Sequence, residues 1–401
     1  MLRSCSLFLF LSLCCLTLGS VTNKENDFLA NLTLNYDPKI RPVLDGSNTT
    51  VSVGMGLYSI LSLDEKQEVV SFKAWVVMEW KDQRLVWNTT DGIPFAVTMP
   101  LPDVWSPTVL NIDSVTNLKY LKDKTDTVLV QQDGTVAYTY LGRFDTGCKV
   151  NIQRFPFDHQ TCTFNLQILY AQVTKEYLEV VSTNVVLDAY RENGGFNLLS
   201  ASMVLQKFTT LGFTQPWIEV TFVLKRRTTF YILNNILPVV FLSFLNTFVF
   251  CLPEESGEKM SLCVSILLSY AMYLTLINSY LPANSDHLCF FSVYLTLLVL
   301  ISTLTCLVTI FMLALHTYFQ TGKACPRWLP VAWRSDSKVG TSEPWVKNED
   351  IAPNQSDVKG KANNKSEMKD LIIAKCNRVA FGTFFTLTLL INVMFFISVT
   401  P

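Results

Sequence analysis

Four long segments without a charged residue constrain this chain more than any other feature. They are Thr228–Pro253 (26 residues), Met260–Ser285 (26 residues), Leu288–Leu315 (28 residues) and Val379–Pro401 (23 residues). A helix that crosses a bilayer needs roughly 20 apolar residues, and a buried soluble helix rarely stays uncharged that long. The second segment is the least apolar, because it carries Ser261, Ser265, Ser269, Thr275, Asn278 and Ser279. Hydroxyls in a span cost free energy unless they face water or protein. Composition agrees with a membrane protein: 49% of residues are hydrophobic and 16% charged, against about 25% charged in a soluble domain. Lys+Arg 32 against Asp+Glu 33 leaves no basic excess to suggest a nucleic-acid partner.

Residues 7–18 form a short apolar run after Arg3 and before Gly19 and Ser20, which reads as a secretory signal. The mature chain then starts outside, and four spans return its end to the outside of the plasma membrane. The link after the third span holds nine Lys and Arg between Lys323 and Lys369, as the positive-inside rule requires of a cytoplasmic segment. The sequons at Asn31, Asn48 and Asn88 fall in the external part, where glycosylation takes place. That part alternates short apolar runs with turn clusters. Tyr58–Leu63, Ser71–Trp80, Thr127–Gln132, Thr135–Leu141, Leu198–Phe208 and Trp217–Lys225 read as strands, with a turn expected at Asp133-Gly134. The fold class is therefore mixed: an extracellular all-β, immunoglobulin-like sandwich of about ten strands and a four-helix transmembrane bundle. The expected map is a signal peptide over 1–20 and the β-sandwich over 21–227. Three spans follow over 228–317, a cytoplasmic link over 318–369, and over 370–401 a short amphipathic helix running into the fourth span.

Cys148 and Cys162 are the only cysteines of the mature chain outside the spans and the cytoplasmic side, so in an oxidising exterior they should pair. They enclose the thirteen residues KVNIQRFPFDHQT. Closing a loop of that size stabilises by about 3 kcal/mol. Phe155, Pro156 and Phe157 make a stiff apolar finger beside the carboxylate of Asp158. By itself the loop reads equally well as a structural staple.

Three features in this order resemble the Cys-loop pentameric ligand-gated ion channels. They are the disulfide loop containing FPFD, the double arginine Arg226-Arg227 before the first span, and GEK opening a hydroxyl-rich second span. "LDEKQEVVSFKAW" (63–75), "NNILPVVF" (234–241) and "LPEESGEKMSLCVSILLS" (252–269) look most like the nicotinic and serotonin type 3 branch. The resemblance covers roughly residues 27–400. It implies the same sandwich-plus-bundle fold and an assembly of five subunits. It also implies that Asp64, Glu65, Phe155, Pro156, Phe157, Asp158 and Arg226 couple the two parts, with Arg226 paired to Glu65 and Asp158. Asn284, Ser285 and Asp286, between the second and third spans, belong to the same coupling region.

The second span can also be read on its own. Glu258, Ser261, Ser265, Leu268, Met272, Thr275 and Ser279 follow one another at steps of three and four, which places them on one helical face. Five copies around an axis would stack as rings: a carboxylate at the inner mouth, hydroxyls, an apolar constriction at Leu268 and Met272, then hydroxyls. A carboxylate ring attracts cations, and a leucine ring closes a pore by dewetting. The alternative is polar contact between neighbouring helices. Anion-selective relatives carry a proline–alanine insertion that is missing here, so the resemblance implies permeant monovalent cations.

The ligand site is thinner. Relatives that bind ammonium ligands surround the cation with aromatic rings. Trp75 matches one such position, on a strand where Ala74, Val76 and Met78 point the other way. Thr108, Ile112 and Leu169 stand where the resemblance implies Asp, Tyr and Trp. Tyr170, Phe213 and Trp217 are the remaining candidates. Each missing cation–π contact would cost about 0.5–2 kcal/mol, which argues against a quaternary ammonium agonist and for another small or amphiphilic molecule. His159, His287 and His316 are scattered, so no metal, cofactor or enzymatic chemistry is expected. The partners expected are four more copies of the chain, membrane lipids, the ligand and the permeant ions. The alternatives are a subunit that conducts only beside other chains, and a receptor that binds without conducting.

Overall fold

The computed structural model describes residues 27–400 apart from 90–93, 117, 119, 169–170, 172–174, 211–212, 255–256, 283–287 and 322–354. The expected signal peptide, Tyr170, the link residues Asn284–Asp286 and most of the cytoplasmic link lie outside the described residues. The chain forms two compact units. One holds the residues up to Asn151 together with Asp158–Arg227, and the other holds Ile152–Phe157 together with Thr228–Pro401.

The first unit opens with a helix over 27–33, α1. Ten strands follow: β1 (Thr49–Asp64), β2 (Val69–Val86), β3 (Ala96–Pro100), β4 (Val109–Asn111), β5 (Thr127–Gln131), β6 (Asp133–Gly147), β7 (His159–Ile168), β8 (Glu176–Val180), β9 (Phe196–Thr210) and β10 (Phe213–Arg226). They build a six-stranded sheet in the order β3-β5-β6-β2-β1-β8 and a four-stranded sheet in the order β4-β7-β10-β9. Alternation drives the pairing. On β2, Val70, Phe72, Ala74, Val76, Met78 and Trp80 are buried, and the residues between them face the other way, as a pleat requires. Phe72 joins the two sheets, because its ring lies 5.1 Å from those of Phe144 on β6, Phe164 on β7 and Phe222 on β10. The turn expected at Asp133-Gly134 is found there: β5 and β6 last pair at Val130 and Val136, and Gly134 takes the positive φ of 81° that the reversal needs. The Asp133 carboxylate accepts from the Thr135 backbone and hydroxyl, each at 3.0 Å, which holds the turn. The three sequon asparagines, Asn31, Asn48 and Asn88, are exposed.

Among the described residues of the second unit, four helices are long and apolar enough to cross a membrane: Thr229–Cys251, Glu258–Tyr280, Phe290–Gln320 and Leu371–Val399. The first three are called α2, α3 and α4 here. The last belongs to a single helix, α5, that begins at Gln355, so the expected amphipathic segment and the fourth span are continuous. Side-chain polar groups link the helices where backbone groups have no spare capacity. Tyr294 donates to Asn392 Oδ1 at 2.7 Å, and Asn392 Nδ2 donates to Ser243 Oγ at 3.1 Å, which ties α4, α5 and α2 together. Asn246 Nδ2 donates to Thr305 Oγ1 at 3.3 Å.

Candidate functional site

The predicted stripe lies within the exposed side of α3, which also carries Val264, Ala271, Leu276, Asn278 and Tyr280. Glu258, Ser261, Ser265, Leu268, Met272, Thr275 and Ser279 are all exposed, whereas Lys259, Cys263, Ile266, Tyr270 and Ile277 are buried against the rest of the bundle. Leu268 and Met272 are 64% and 76% exposed, far more than their chemistry favours in water. Three of the stripe's four hydroxyls share an orientation. Ser265 donates to the Ser261 carbonyl at 2.8 Å, Thr275 to the Ala271 carbonyl at 2.9 Å and Ser279 to the Leu276 carbonyl at 2.6 Å. A hydroxyl that spends its proton on the helix turns oxygen lone pairs outward. Such a surface suits a cation better than an anion. Glu258 lies in the first turn of α3, where the helix dipole stabilises a carboxylate.

The disulfide joins Cys148 to Cys162. Inside its loop, Gln160 donates to the Asn151 carbonyl at 2.8 Å and accepts from the Asn151 amide at 2.9 Å, and it also donates to Asp158. Nothing in the loop's sequence alone singles out this glutamine. The tip residues Ile152–Phe157 belong to the helical unit. There the Phe155 ring sits 5.1 Å from Tyr231 and 6.3 Å from Phe291, and Phe291 lies 5.7 Å from Phe395 on α5. Phe155 is buried, and the peptide bond to Pro156 is cis.

Asp158 belongs to the β unit, where it meets Arg226 at the end of β10. The Arg226 guanidinium donates to both Asp158 oxygens, at 2.8 and 3.0 Å, and to Glu65 Oε1 at 2.5 Å. It also lies 4.8 Å over the ring of Phe196. Asp64, the last residue of β1, accepts from the backbone of Gln67 at 2.9 Å and so shapes the turn that presents Glu65. Burial works to lower the Arg226 pKa, but the hydrogen bonds and charge of Asp158, and then Glu65, outweigh it and the pKa rises. Arg226 is therefore a permanent cation that the fold has desolvated. Its neighbour Arg227 is different: its side chain is 39% exposed and pairs with Glu192, which is 77% exposed.

The ligand candidates do not form one cluster on a single sheet. Trp75 lies on β2, half-buried, with its ring laid over Gly56, its cross-strand partner on β1. A Cβ at position 56 would fall 2.2 Å from the indole, so glycine there is what lets the ring lie flat. Trp217 lies on β10, opposite Gln167 and Gln206 in the other sheet. Phe213 starts β10. Trp105 packs edge-on against Trp80 at 5.9 Å and is buried. Among the described residues, no group of three or more His, Cys, Asp or Glu is placed to hold a metal ion.

Known proteins share this architecture. The family model for the neurotransmitter-gated ion-channel ligand-binding domain matches residues 25–228. The chain belongs to the neurotransmitter-gated ion channels. The transmembrane-region model of the same family matches residues 235–377. The human neuronal acetylcholine receptor subunit beta-3 is 29% identical over 332 residues, covering 82% of this chain and 69% of the relative. The rat alpha-6 subunit is 28% identical over 310 residues, covering 76% and 62%. The human alpha-2 subunit is 28% identical over 315 residues, covering 78% and 59%. This neurotransmitter-gated channel subunit is thus a multi-pass plasma-membrane protein with an extracellular ligand-binding domain, and not an enzyme.

Proposed function

We propose that five copies of this chain surround a cation-selective pore lined by the outward stripe of α3, which a ligand opens from outside. The observation that carries this reading is the exposure of all seven stripe residues, hydroxyls and a carboxylate among them, on a helix whose opposite face (Lys259, Cys263, Ile266, Tyr270 and Ile277) packs into its own bundle. A single chain would leave Leu268 and Met272 in lipid beside serines and a carboxylate, a combination that suits neither solvent. A five-fold axis gives every one of them a place: Glu258 concentrates cations at the inner mouth, Ser261 and Ser265 offer oxygens, and Leu268 closes the path.

The ligand would be a small or amphiphilic molecule held between extracellular units, with Trp75 of one copy and Tyr170, Phe213 and Trp217 of another as its contacts. Asp64, Glu65, Asp158 and Arg226 would hold the base of the β unit as one body. Phe155, Pro156 and Phe157 would carry its motion through Tyr231 and Phe291 into the helices. Binding would then shift a pre-existing closed–open equilibrium. The non-aromatic residues at Thr108, Ile112 and Leu169 favour a second reading, in which another chain supplies aromatic groups and this one conducts only in mixed assemblies.

The stripe can be checked without an agonist. A charged, water-soluble methanethiosulfonate reagent is expected to modify Thr275→Cys in intact cells and to leave Ile277→Cys unmodified, read by loss of later biotin-maleimide labelling. Equal protection of both positions would contradict a water-facing stripe.

A further inference from the structure

Lys259, the second residue of α3, is an anomaly. It is a cation in the first turn of a helix, where the dipole opposes positive charge. Its side chain is only 1% exposed although it adjoins exposed Glu258. A lysine at the end of a membrane helix ordinarily extends its four methylenes until the ammonium reaches water. This one is held back by two groups from different segments. Its Nζ lies 2.5 Å from Glu254 Oε1, and it donates to Asn377 Oδ1 at 3.3 Å. Asn377, on α5, in turn donates to Glu254 Oε1 at 2.9 Å, closing a three-membered ring of contacts. Phe250 lies 5.9 Å from the ammonium and completes the enclosure. Glu254 is itself 5% exposed, so the pair is desolvated together and nets to zero charge.

We propose that Glu254 and Asn377 are positioning residues for ion selectivity: they hold the Lys259 ammonium away from the permeation path, so that Glu258 alone sets the charge of the inner mouth. The inference rests on the pore reading above. Adjacent residues on a helix differ by about 100°, which separates Lys259 from Glu258, but a freed lysine is long enough to bring its charge round. Five freed ammonium groups would cancel five Glu258 carboxylates. The last helix would then take part in charge selection through a single amide side chain.

The test is made in a Leu268→Ser background, so that channel opening needs no agonist. Glu254→Gln and Asn377→Ala are added singly, and Lys259→Gln is added to Glu254→Gln. In parallel, purified full-length protein is treated with an acetylating N-hydroxysuccinimide ester, and Lys259 is read by mass spectrometry. Glu254→Gln is expected to lower sodium conductance roughly tenfold and move the reversal potential toward that of chloride. Asn377→Ala should give a smaller shift in the same direction. Adding Lys259→Gln should restore both, which a purely structural role for Glu254 would not do. Lys259 should gain the acetyl mark in Glu254→Gln and resist it in the wild type. Unchanged conductance and acetylation in Glu254→Gln, or a loss that Lys259→Gln leaves unrepaired, would overturn the proposal. If Leu268→Ser carries no current at all, the pore reading fails, and the acetylation pattern alone decides whether Glu254 holds Lys259.

Discussion

Serine in place of Leu268 is expected to give a channel that conducts with no ligand present. Leu268 is 64% exposed on the unpartnered face of α3. In a ring of five, its isobutyl groups offer a hydrated ion no oxygen to replace its water, and a narrow apolar ring empties of water altogether. A hydroxyl at the same place provides a donor and two acceptor lone pairs. It also extends the row of oxygens already formed by Ser261 and Ser265. Resting current at negative potential should rise roughly tenfold or more over wild type, because the closed state loses the barrier that defines it. Leu267→Ser is the control. Residue 267 is half-buried beside the stripe rather than on it, so its substitution should leave the closed pore shut.

The second large effect is on folding. Arg226→Ala removes the cation that faces both buried Asp158 and half-buried Glu65. Leaving a buried carboxylate without its partner costs about 3–5 kcal/mol. For a unit of this size that corresponds to a melting temperature lower by roughly 10 °C. Surface biotinylation should show most of the variant retained inside the cell. Arg227→Ala is the matching control, because its pair with Glu192 is exposed on both sides and is worth only about 0–1 kcal/mol. Arg226→Lys should fall between, since an ammonium keeps the charge but cannot bond both Asp158 oxygens as the planar fork does. Equal melting temperatures for Arg226→Ala and Arg227→Ala would mean that the ion triad contributes nothing to the fold.

The parts legible in the sequence were those that depend on local periodicity. Uncharged length alone reveals a membrane helix, and steps of three and four reveal the α3 face. Alternation also located β2, β5, β6, β9 and β10 and the second half of β1. The strands not located are β3, β4 and β8, of 5, 3 and 5 residues, and β7, whose buried face opens on the polar Gln160. Contacts between distant segments were less visible. Nothing near Lys259 in the sequence points to Asn377, 118 residues away. That Trp75 lies flat depends on register, which brings Gly56 directly opposite it. Asn246 and Asn392 did carry a signal: amides inside apolar spans are costly and must find partners, and both bond across the bundle. The arginine before the first span could be singled out only through the family resemblance, because two adjacent arginines look alike until the fold buries one of them.

Cation conduction by this chain alone is the decisive property. Leu268→Ser, expressed without any other subunit and held under voltage clamp, should pass a steady current. When external sodium is replaced by a large impermeant cation, the reversal potential should move to more negative values and stay unmoved when chloride is replaced instead. A reversal potential that follows chloride, or a silent membrane despite abundant surface protein, would contradict it.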